Sequence, residues 1–175
     1  MPADHPRALA RIGITGHSDL TPASLPLVRD ALGRALREPS SPRWAGVSCL
    51  APGTDQLFAA LVLGLGGRLE VILPAVDYRS RKIGPDCAAE FDRLLAAAAT
   101  VTVLAFDRSS REAYMAASAA MLDAVDTVLA VWDGQPAQRH GGTADVVAAA
   151  RRRGLPTTIL WPVGAARRPA PAAHP

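Results

Sequence analysis

A glycine-rich run in the last third of the chain has the residue types of a phosphate-binding turn. Two glycines and a threonine open an Ala-rich segment after an apolar strand, in the run Gly141-Gly142-Thr143-Ala144. Glycine lets the backbone approach a ligand closely, and the first amides of a helix have no partner within that helix. Such amides, together with the helix dipole, favour an anion. The run predicts a phosphate site, and a glycine-rich turn without a ligand is the alternative.

An earlier loop offers a second set of polar groups. In the run GITGHSDL, Gly16 follows an apolar strand directly, so the backbone can turn sharply and pass close to a ligand. His17 and Ser18 can then donate hydrogen bonds to a phosphate or a ribose. An ordinary strand-ending glycine followed by surface polar residues is the alternative.

Another loop, in the run APGTDQLFA, also enters a helix. Gly53 precedes Thr54, which we predict to be the N-cap, so the amides at this helix start can meet an anion or a hydroxyl. Asp55 would repel a bare phosphate but can accept from ribose hydroxyls, and Gln56 can contact the ribose or shape the pocket. The alternative is an N-cap with an aspartate that suits the helix dipole.

These loops need elements that bring them to one place. Short β-branched runs predict strands at 11–15, 47–50, 69–73, 100–104, 127–132 and 157–161. Ala/Leu-rich segments between them predict helices at 24–37, 55–65, 87–98, 111–124 and 143–153. This alternation predicts the α/β class, with a Rossmann-like, doubly wound, mostly parallel sheet in three α/β/α layers. Ligands bind beyond the carboxyl ends of such strands, where all three loops would lie.

Composition narrows the class of protein. The chain has 175 residues, of which 49% are hydrophobic, and a net charge of +3. We expect a disordered segment at 1–10, one domain at 11–163 and a disordered tail at 164–175. The segment at 74–85, which contains Tyr78 and Arg79, reads as a mobile polar loop. We expect a cytoplasmic protein without a membrane span, cofactor or metal, and nucleic acid is an unlikely partner because no basic stripe is interleaved with aromatics.

The three motifs in their order resemble the SLOG superfamily. GITGHSDL, APGTDQLFA and VDTVLAVWDGQPAQRHGGTADVV carry the resemblance, which spans about residues 11–162. The superfamily includes the DNA-processing protein A domain and the Lonely guy phosphoribohydrolases. The resemblance implies that the strand carrying VLAVWD lies beside the first strand, so that Gly16–Ser18 and Gly141–Thr143 face each other across a nucleotide phosphate. It also implies a homodimer paired through helices, for which the Ala-rich segments at 87–98 and 111–124 are suitable.

Three functions stay open on this basis. The first is binding or sensing of a nucleotide or nucleotide-derived ligand. The second is cleavage of a nucleoside 5′-monophosphate at its N-glycosidic bond, but the hydrolase pattern PGGxGTxxE is not met by HGGTADVV. Asp133 or Asp145 would then have to stabilise positive charge on the ribose in place of the missing glutamate. The third is a nucleic-acid-handling module, by analogy with the DNA-processing relatives.

Overall fold

The computed structural model describes residues 9–37, 43–136 and 142–169. The strands in these ranges are β1 (Ala10–Gly16), β2 (Trp44–Ser48), β3 (Arg68–Leu73), β4 (Thr100–Val103), β5 (Thr127–Val131) and β6 (Thr157–Leu160). The helices are α1 (Ser24–Ala35), α2 (Thr54–Gly64), α3 (Tyr78–Lys82), α4 (Pro85–Ala97), α5 (Arg111–Ala124) and α6 (Thr143–Arg152). The strands form one sheet in the order β4-β3-β2-β1-β5-β6.

All neighbouring strands in this sheet run parallel. One apolar core joins the sheet to α1, α2 and α4, and a second core on the other face joins it to α5 and α6. Strands covered on both faces can be apolar throughout, which is why β5 is buried over Val128–Val131. The predicted three-layer, Rossmann-like α/β fold is confirmed, and the sheet is fully parallel.

The order of the strands changes direction at β1. The chain moves outward from β1 to β4 on one side, and then returns to place β5 on the other side of β1, with Gly16 opposite Val131. The loops that follow β1 and β5 therefore lead to helices on opposite faces of the sheet. A cleft opens between such loops, at the carboxyl edge where open α/β sheets bind their ligands.

The segment at 74–85 differs from the expected mobile loop. It contains α3, and Tyr78 is only 2% exposed. The Tyr78 ring packs against Phe91 and, edge to face, against Tyr114 at 6.0 Å between ring centroids. A five-residue helix is too short for hydrophobic periodicity to indicate it. The prediction of a mobile polar loop was therefore wrong, since a buried aromatic anchors the segment.

Residues 164–169 also differ from the expectation of a disordered tail. They run back beside the loop between β1 and α1, where Arg167 forms an antiparallel bridge with Leu20. The Thr21 amide donates to the Ala166 carbonyl at 3.0 Å, and the Arg168 amide donates to the Asp19 carbonyl at 2.6 Å. Pro/Ala-rich composition suggested disorder, but these backbone hydrogen bonds fix the segment. Residues 1–8 and 170–175 lie outside the described ranges, and the division of the chain into domains stays a prediction.

Candidate functional site

A cleft of about 430 Å³ opens at the carboxyl edge of the sheet. All three predicted loops contribute to its walls, the first loop through Gly16–Asp19, the second through Ala51 and Asp55, and the third through Gly142–Ala144. Three further parts of the chain complete the walls: α3, the inner face of α5 and the C-terminal segment with Arg167. The first and third loops thus border one space, as the sequence predicted. Gly141 and His140 lie outside the described residues.

The first two loops are packed into one unit. The Thr54 hydroxyl donates to the His17 carbonyl at 2.7 Å. A Cβ on Gly16 would lie 2.5 Å from Thr54 Cγ2, and a Cβ on Gly53 would lie 2.9 Å from the Ser18 carbonyl oxygen. Gly53 also has a φ of +83°, where a side chain is strained. These two glycines therefore serve loop-to-loop packing, whereas the sequence suggested that Gly16 brings the backbone close to a ligand.

The predicted roles at the start of α2 need correction. Gly53 is the N-cap residue and Thr54 is the first helical residue, so the prediction of a Thr54 cap was wrong. Thr54 points at the first loop because its hydroxyl has an acceptor there. Gln56 is 6% exposed, and its side-chain amide donates to the Leu50 carbonyl at 3.3 Å. Of this loop's predicted contact residues, only Asp55 lines the cleft, while Gly53, Thr54 and Gln56 support the wall from behind.

The start of α6 faces the cleft without a side-chain cap. Gly142 is the N-cap in an extended conformation, with φ −88° and ψ 178°, and this N-cap position provides no side-chain hydrogen bond. The amides of Asp145 and Val146 donate to the Gly142 carbonyl, at 3.0 and 3.3 Å. By helix geometry, the amides of Thr143 and Ala144 have no acceptor within the helix. Both residues line the cleft.

A charged network lies on the β5 side of the cleft, formed by His17, Asp19, Asp133 and Arg167. His17 Nε2 lies 3.0 Å from Asp133 Oδ1. The Arg167 guanidinium donates to both oxygens of Asp19, at 2.9 to 3.1 Å, and to Asp133 Oδ2 at 3.4 Å. Such forked pairing fixes an arginine in position. Two carboxylates thus hold the one guanidinium that this segment brings to the cleft wall.

Asp133 is ionised by this network. Burial raises the pKa of the Asp133 carboxyl, but hydrogen bonds from the Gln135 amide, from His17 and from Arg167, together with the charge of His17, outweigh it. The pKa therefore lies below its usual value. Asp133 and Asp145, the two predicted catalytic carboxylates, are not among the residues that line the cleft. Their predicted roles at a ribose stay predictions.

The β2 side of the cleft holds a different set of groups: Asp55, Tyr78, Lys82 and Tyr114. Asp55 is 7% exposed, and it accepts from the Ser48 hydroxyl at 3.3 Å and the Ala51 amide at 3.4 Å. Burial raises the pKa of Asp55 to about 7, against the opposing effects of these hydrogen bonds and of the Lys82 charge. Lys82 Nζ lies 5.7 Å from the centre of the Tyr114 ring. This side therefore combines a buried carboxyl, an ammonium group and aromatic surface.

Sequence reasoning missed two cations of the cleft. Arg167 lies in a segment whose composition suggested a solvated tail, and Lys82 lies in the supposed polar loop. No local pattern marks either residue, because each reaches the cleft through backbone packing distant in sequence. In the described part of the chain, no three acidic, histidine or cysteine side chains group closely enough for a metal ion. None of the helices in this part is both long and apolar enough to cross a bilayer.

Comparison with known proteins points to one group of solved structures. DNA processing protein A (DprA) from Helicobacter pylori, described for its single-stranded DNA binding mode, matches with TM-score 0.64 and 15% identity, over 90% of this chain and 68% of its own. DprA from Streptococcus pneumoniae matches with TM-score 0.62 and 13% identity, over 86% of this chain. Protein TM1055 matches with TM-score 0.53 and 19% identity, over 85% of this chain and 72% of its own.

The chain spans half the length of the Streptococcus pneumoniae protein. No protein-family model matches the chain, and no curated protein matches it. The structural matches confirm the fold that the three motifs indicated: the chain has a SLOG-type, Rossmann-like fold. At these identities the likeness concerns the fold alone.

Proposed function

We propose that the cleft binds a phosphate-bearing nucleotide or nucleotide-derived ligand, with its phosphate at the start of α6. The observation that carries this proposal is the uncapped start of α6, which opens into the same cleft as the first loop. Helix N-termini favour anions through their free amides and the helix dipole. A cleft between loops on either side of the first strand is the usual ligand site of such sheets.

The charges in the cleft are compatible with a bound anion if the amides at the start of α6 supply most of the binding. Arg167 lines the cleft but is held by Asp19 and Asp133, so its charge is offset. A bound phosphate would therefore depend mainly on the amides of Thr143 and Ala144, and Arg167 would contribute through its remaining N–H groups. The contribution of these two amides to phosphate binding is therefore what the experiment must test.

The test removes one amide without breaking the helix. In Thr143→Pro, proline stands at the first helical position, where its fixed φ is tolerated and its missing N–H costs the helix nothing. The chain already contains such a start, because Pro85 follows Gly84, which has the same extended backbone as Gly142. Thr143→Ala is the matched control, since it removes the hydroxyl but keeps the amide.

We expect Thr143→Pro to weaken binding of nucleoside 5′-monophosphates by about 10- to 100-fold, as a lost hydrogen bond to a charged group is worth about 1.5–3 kcal/mol. Thr143→Ala should weaken it by less than about threefold. Isothermal titration calorimetry on a panel of nucleotides measures both values. Binding by the wild type with equal affinities for Thr143→Pro and Thr143→Ala would remove the phosphate from the start of α6. Absence of any nucleotide binding by the wild type would remove the proposal as a whole.

Binding of single-stranded DNA is a second candidate function. It is favoured by the Helicobacter pylori DprA neighbour, whose described single-stranded DNA binding fits poorly with our expectation that nucleic acid is an unlikely partner. Titration of a labelled oligonucleotide at several salt concentrations tests it, since each neutralised phosphate makes log K fall by about 0.7 per unit of log salt on a single strand. A shallow slope and weak binding at low salt would exclude it.

Cleavage of the N-glycosidic bond remains a third hypothesis. Incubation with nucleoside 5′-monophosphates, followed by chromatography for free base, tests it directly. Release of base that is lost in Asp133→Asn or Asp145→Asn would support the predicted catalytic roles. The homodimer and the cytoplasmic location also stay predictions.

A further inference from the structure

Asp55 is a buried carboxyl that borders the ligand cleft and has no cation at hydrogen-bond distance among the described residues. It is 7% exposed, and its hydrogen bonds come from neutral donors: the Ser48 hydroxyl and the backbone amides of Ala51 and Cys49. The Ser48 and Ala51 donors reach the same oxygen, Oδ2, at 3.3 and 3.4 Å. A buried carboxylate is costly unless several donors stabilise it. Burial raises the pKa of Asp55 in spite of these three donors, so an additional donor from a ligand would stabilise the carboxylate further.

The surroundings of Asp55 are suited to a flat, partly polar group. Tyr78 and Tyr114 from α3 and α5 stand edge to face beside it, and Ala117 and Met121 continue the apolar wall. Lys82 brings an ammonium group to the same part of the cleft. An acceptor at Asp55 and a donor at Lys82, set in an aromatic wall, form the complement of a nucleobase edge that carries both a donor and an acceptor.

We propose that the cleft recognises a nucleotide whose base carries N–H donors, that the Asp55 carboxylate accepts from those donors, and that binding takes up the ionised form of Asp55. This inference rests on the proposed function, since it assumes that the phosphate end of the same ligand lies at α6. It assigns the base to the β2 side of the cleft and the phosphate to the β5 side.

Two buried titratable groups near Asp55, Cys49 and Tyr78, keep one charge state around neutral pH. Burial raises the pKa of the Cys49 thiol and of the Tyr78 hydroxyl, so both remain protonated. The Lys82 charge acts on Asp55 and lowers its pKa in part. The remaining charged or titratable residues of the cleft wall are Tyr114 on α5 and, on the β5 side, His17, Asp19 and Arg167. Asp55 is thus the group on the β2 side that changes charge near pH 7.

The ionisation of Asp55 predicts the direction in which ligand affinity changes with pH. With a pKa of about 7, Asp55 in the free protein is about one tenth ionised at pH 6 and about nine tenths ionised at pH 8. A ligand that needs the carboxylate must first pay for its ionisation at low pH, so its affinity rises with pH. A ligand without donors gains nothing from this ionisation. The phosphate of a monoester also titrates, with a pKa near 6. The comparison of ligands must therefore cancel the effect of this titration on affinity.

The experiment compares ligands that differ only in the base. The donor-bearing ligands are guanosine and adenosine 5′-monophosphates, and purine riboside 5′-monophosphate carries no N–H donor on its base. The ratio of their affinities cancels the phosphate. We expect the better donor-bearing ligand to bind at least about tenfold more tightly than purine riboside monophosphate at pH 8, and this ratio to shrink about tenfold at pH 6.

The variant Asp55→Asn tests whether Asp55 is the group that accepts from the base. Its side-chain oxygen can still accept from Ser48 and Ala51, but it does not ionise, so the ratio should no longer depend on pH. Asp92→Asn, on the exposed face of α4 and away from the cleft, is the matched control and should keep the wild-type ratio at both pH values.

The outcomes separate this inference from the proposed function. Equal affinities for donor-bearing and donor-free nucleotides, or a ratio that is constant from pH 6 to 8, overturn the role of Asp55 but leave nucleotide binding intact. Loss of all nucleotide binding in the wild type overturns both. The pH ratio of the wild type decides the matter even where Asp55→Asn fails to fold.

Discussion

Asp133 and Asp55 stand on opposite sides of β1, and their surroundings drive their protonation in opposite directions. Asp133 meets Arg167 and His17 at hydrogen-bond distance, and its pKa lies below the usual value. Asp55 meets only neutral donors at that distance, and burial raises its pKa to about 7. One residue type therefore provides a fixed negative charge on the β5 side and a titrating group on the β2 side.

The difference shows how the fold distributes polar groups around the cleft. On the β5 side, the C-terminal segment returns to supply Arg167, so the carboxylates there are neutralised within the protein. On the β2 side, α3 places Lys82 in the cleft wall, where its charge lowers the pKa of Asp55 in part although the two described side chains form no ion pair. Two carboxyls with pKa values pushed apart are typical of sites that use them for different tasks. The β2 side is the part of the cleft where a ligand would change the protein most.

Disrupting the contact between Gly16 and Thr54 should have the largest effect on the free energy of unfolding. Gly16→Ala places a Cβ 2.5 Å from Thr54 Cγ2 and 2.9 Å from Val131 Cβ, so the first two loops must separate. We expect the free energy of unfolding to fall by about 3 kcal/mol, at the upper end for an overpacked site. Gly64→Ala is the control, because no atom lies within 4 Å of its added Cβ and alanine favours a helix. Urea denaturation measures both, and equal stabilities would contradict the loop packing.

Asp133→Asn should give an intermediate effect, with a marked pH dependence. The lowered pKa of Asp133 means that its ionised form stabilises the fold above the unfolded-state pKa near 3.9, and that this stabilisation is lost as the pH falls. We expect Asp133→Asn to lower the free energy of unfolding by about 1–2 kcal/mol at pH 7 and by less at pH 3. Thermal unfolding at the two pH values measures this. A pH-independent difference would mean that the network contributes no charge pairing.

Asp55→Asn should change the free energy of unfolding with the opposite sign. Because the folded-state pKa of Asp55 is raised, the wild type loses stability as the pH rises from about 4 to about 7. The asparagine variant lacks this loss, so its free energy of unfolding should exceed that of the wild type at pH 8, by an amount that grows between pH 4 and pH 7. At pH 4 the two proteins should differ little. A variant that is less stable than the wild type at pH 8 would show that the Asp55 carboxylate is already well stabilised in the free protein.

Much of the scaffold could be predicted from the sequence, but less of the cleft. Within the residues that the structure describes, all six strands and five of the six helices were expected within a few residues of their observed bounds. Helix α5 begins and ends as predicted at Arg111 and Ala124. Hydrophobic periodicity and the glycines and prolines that end helices and strands are local features of the chain, so a single sequence is enough to detect them. The short helix α3 was missed, because Tyr78 is flanked by polar residues in the sequence. Its burial comes from packing against α4 and α5.

The roles of individual loop residues were harder to predict. Gly16 and Thr54 were interpreted as ligand groups, yet they pack against each other. A glycine beside a neighbouring loop and a glycine beside a ligand have the same local signature, since both need space where a Cβ would stand. Asp55 could be placed near the cleft from its position after β2, but its protonation depends on burial that sequence does not reveal.

The sequence by itself determined the α/β alternation, the parallel sheet and the three loops that end at one edge, because strand and helix periodicity are local and parallel strands share a direction. The tertiary structure alone decided which side chains face the cleft. Arg167 reaches Asp19 across 148 residues of sequence, and Lys82 enters the wall through a helix of five residues. Burial and charge pairing arise from contacts between distant segments, and these contacts set the chemistry of the site.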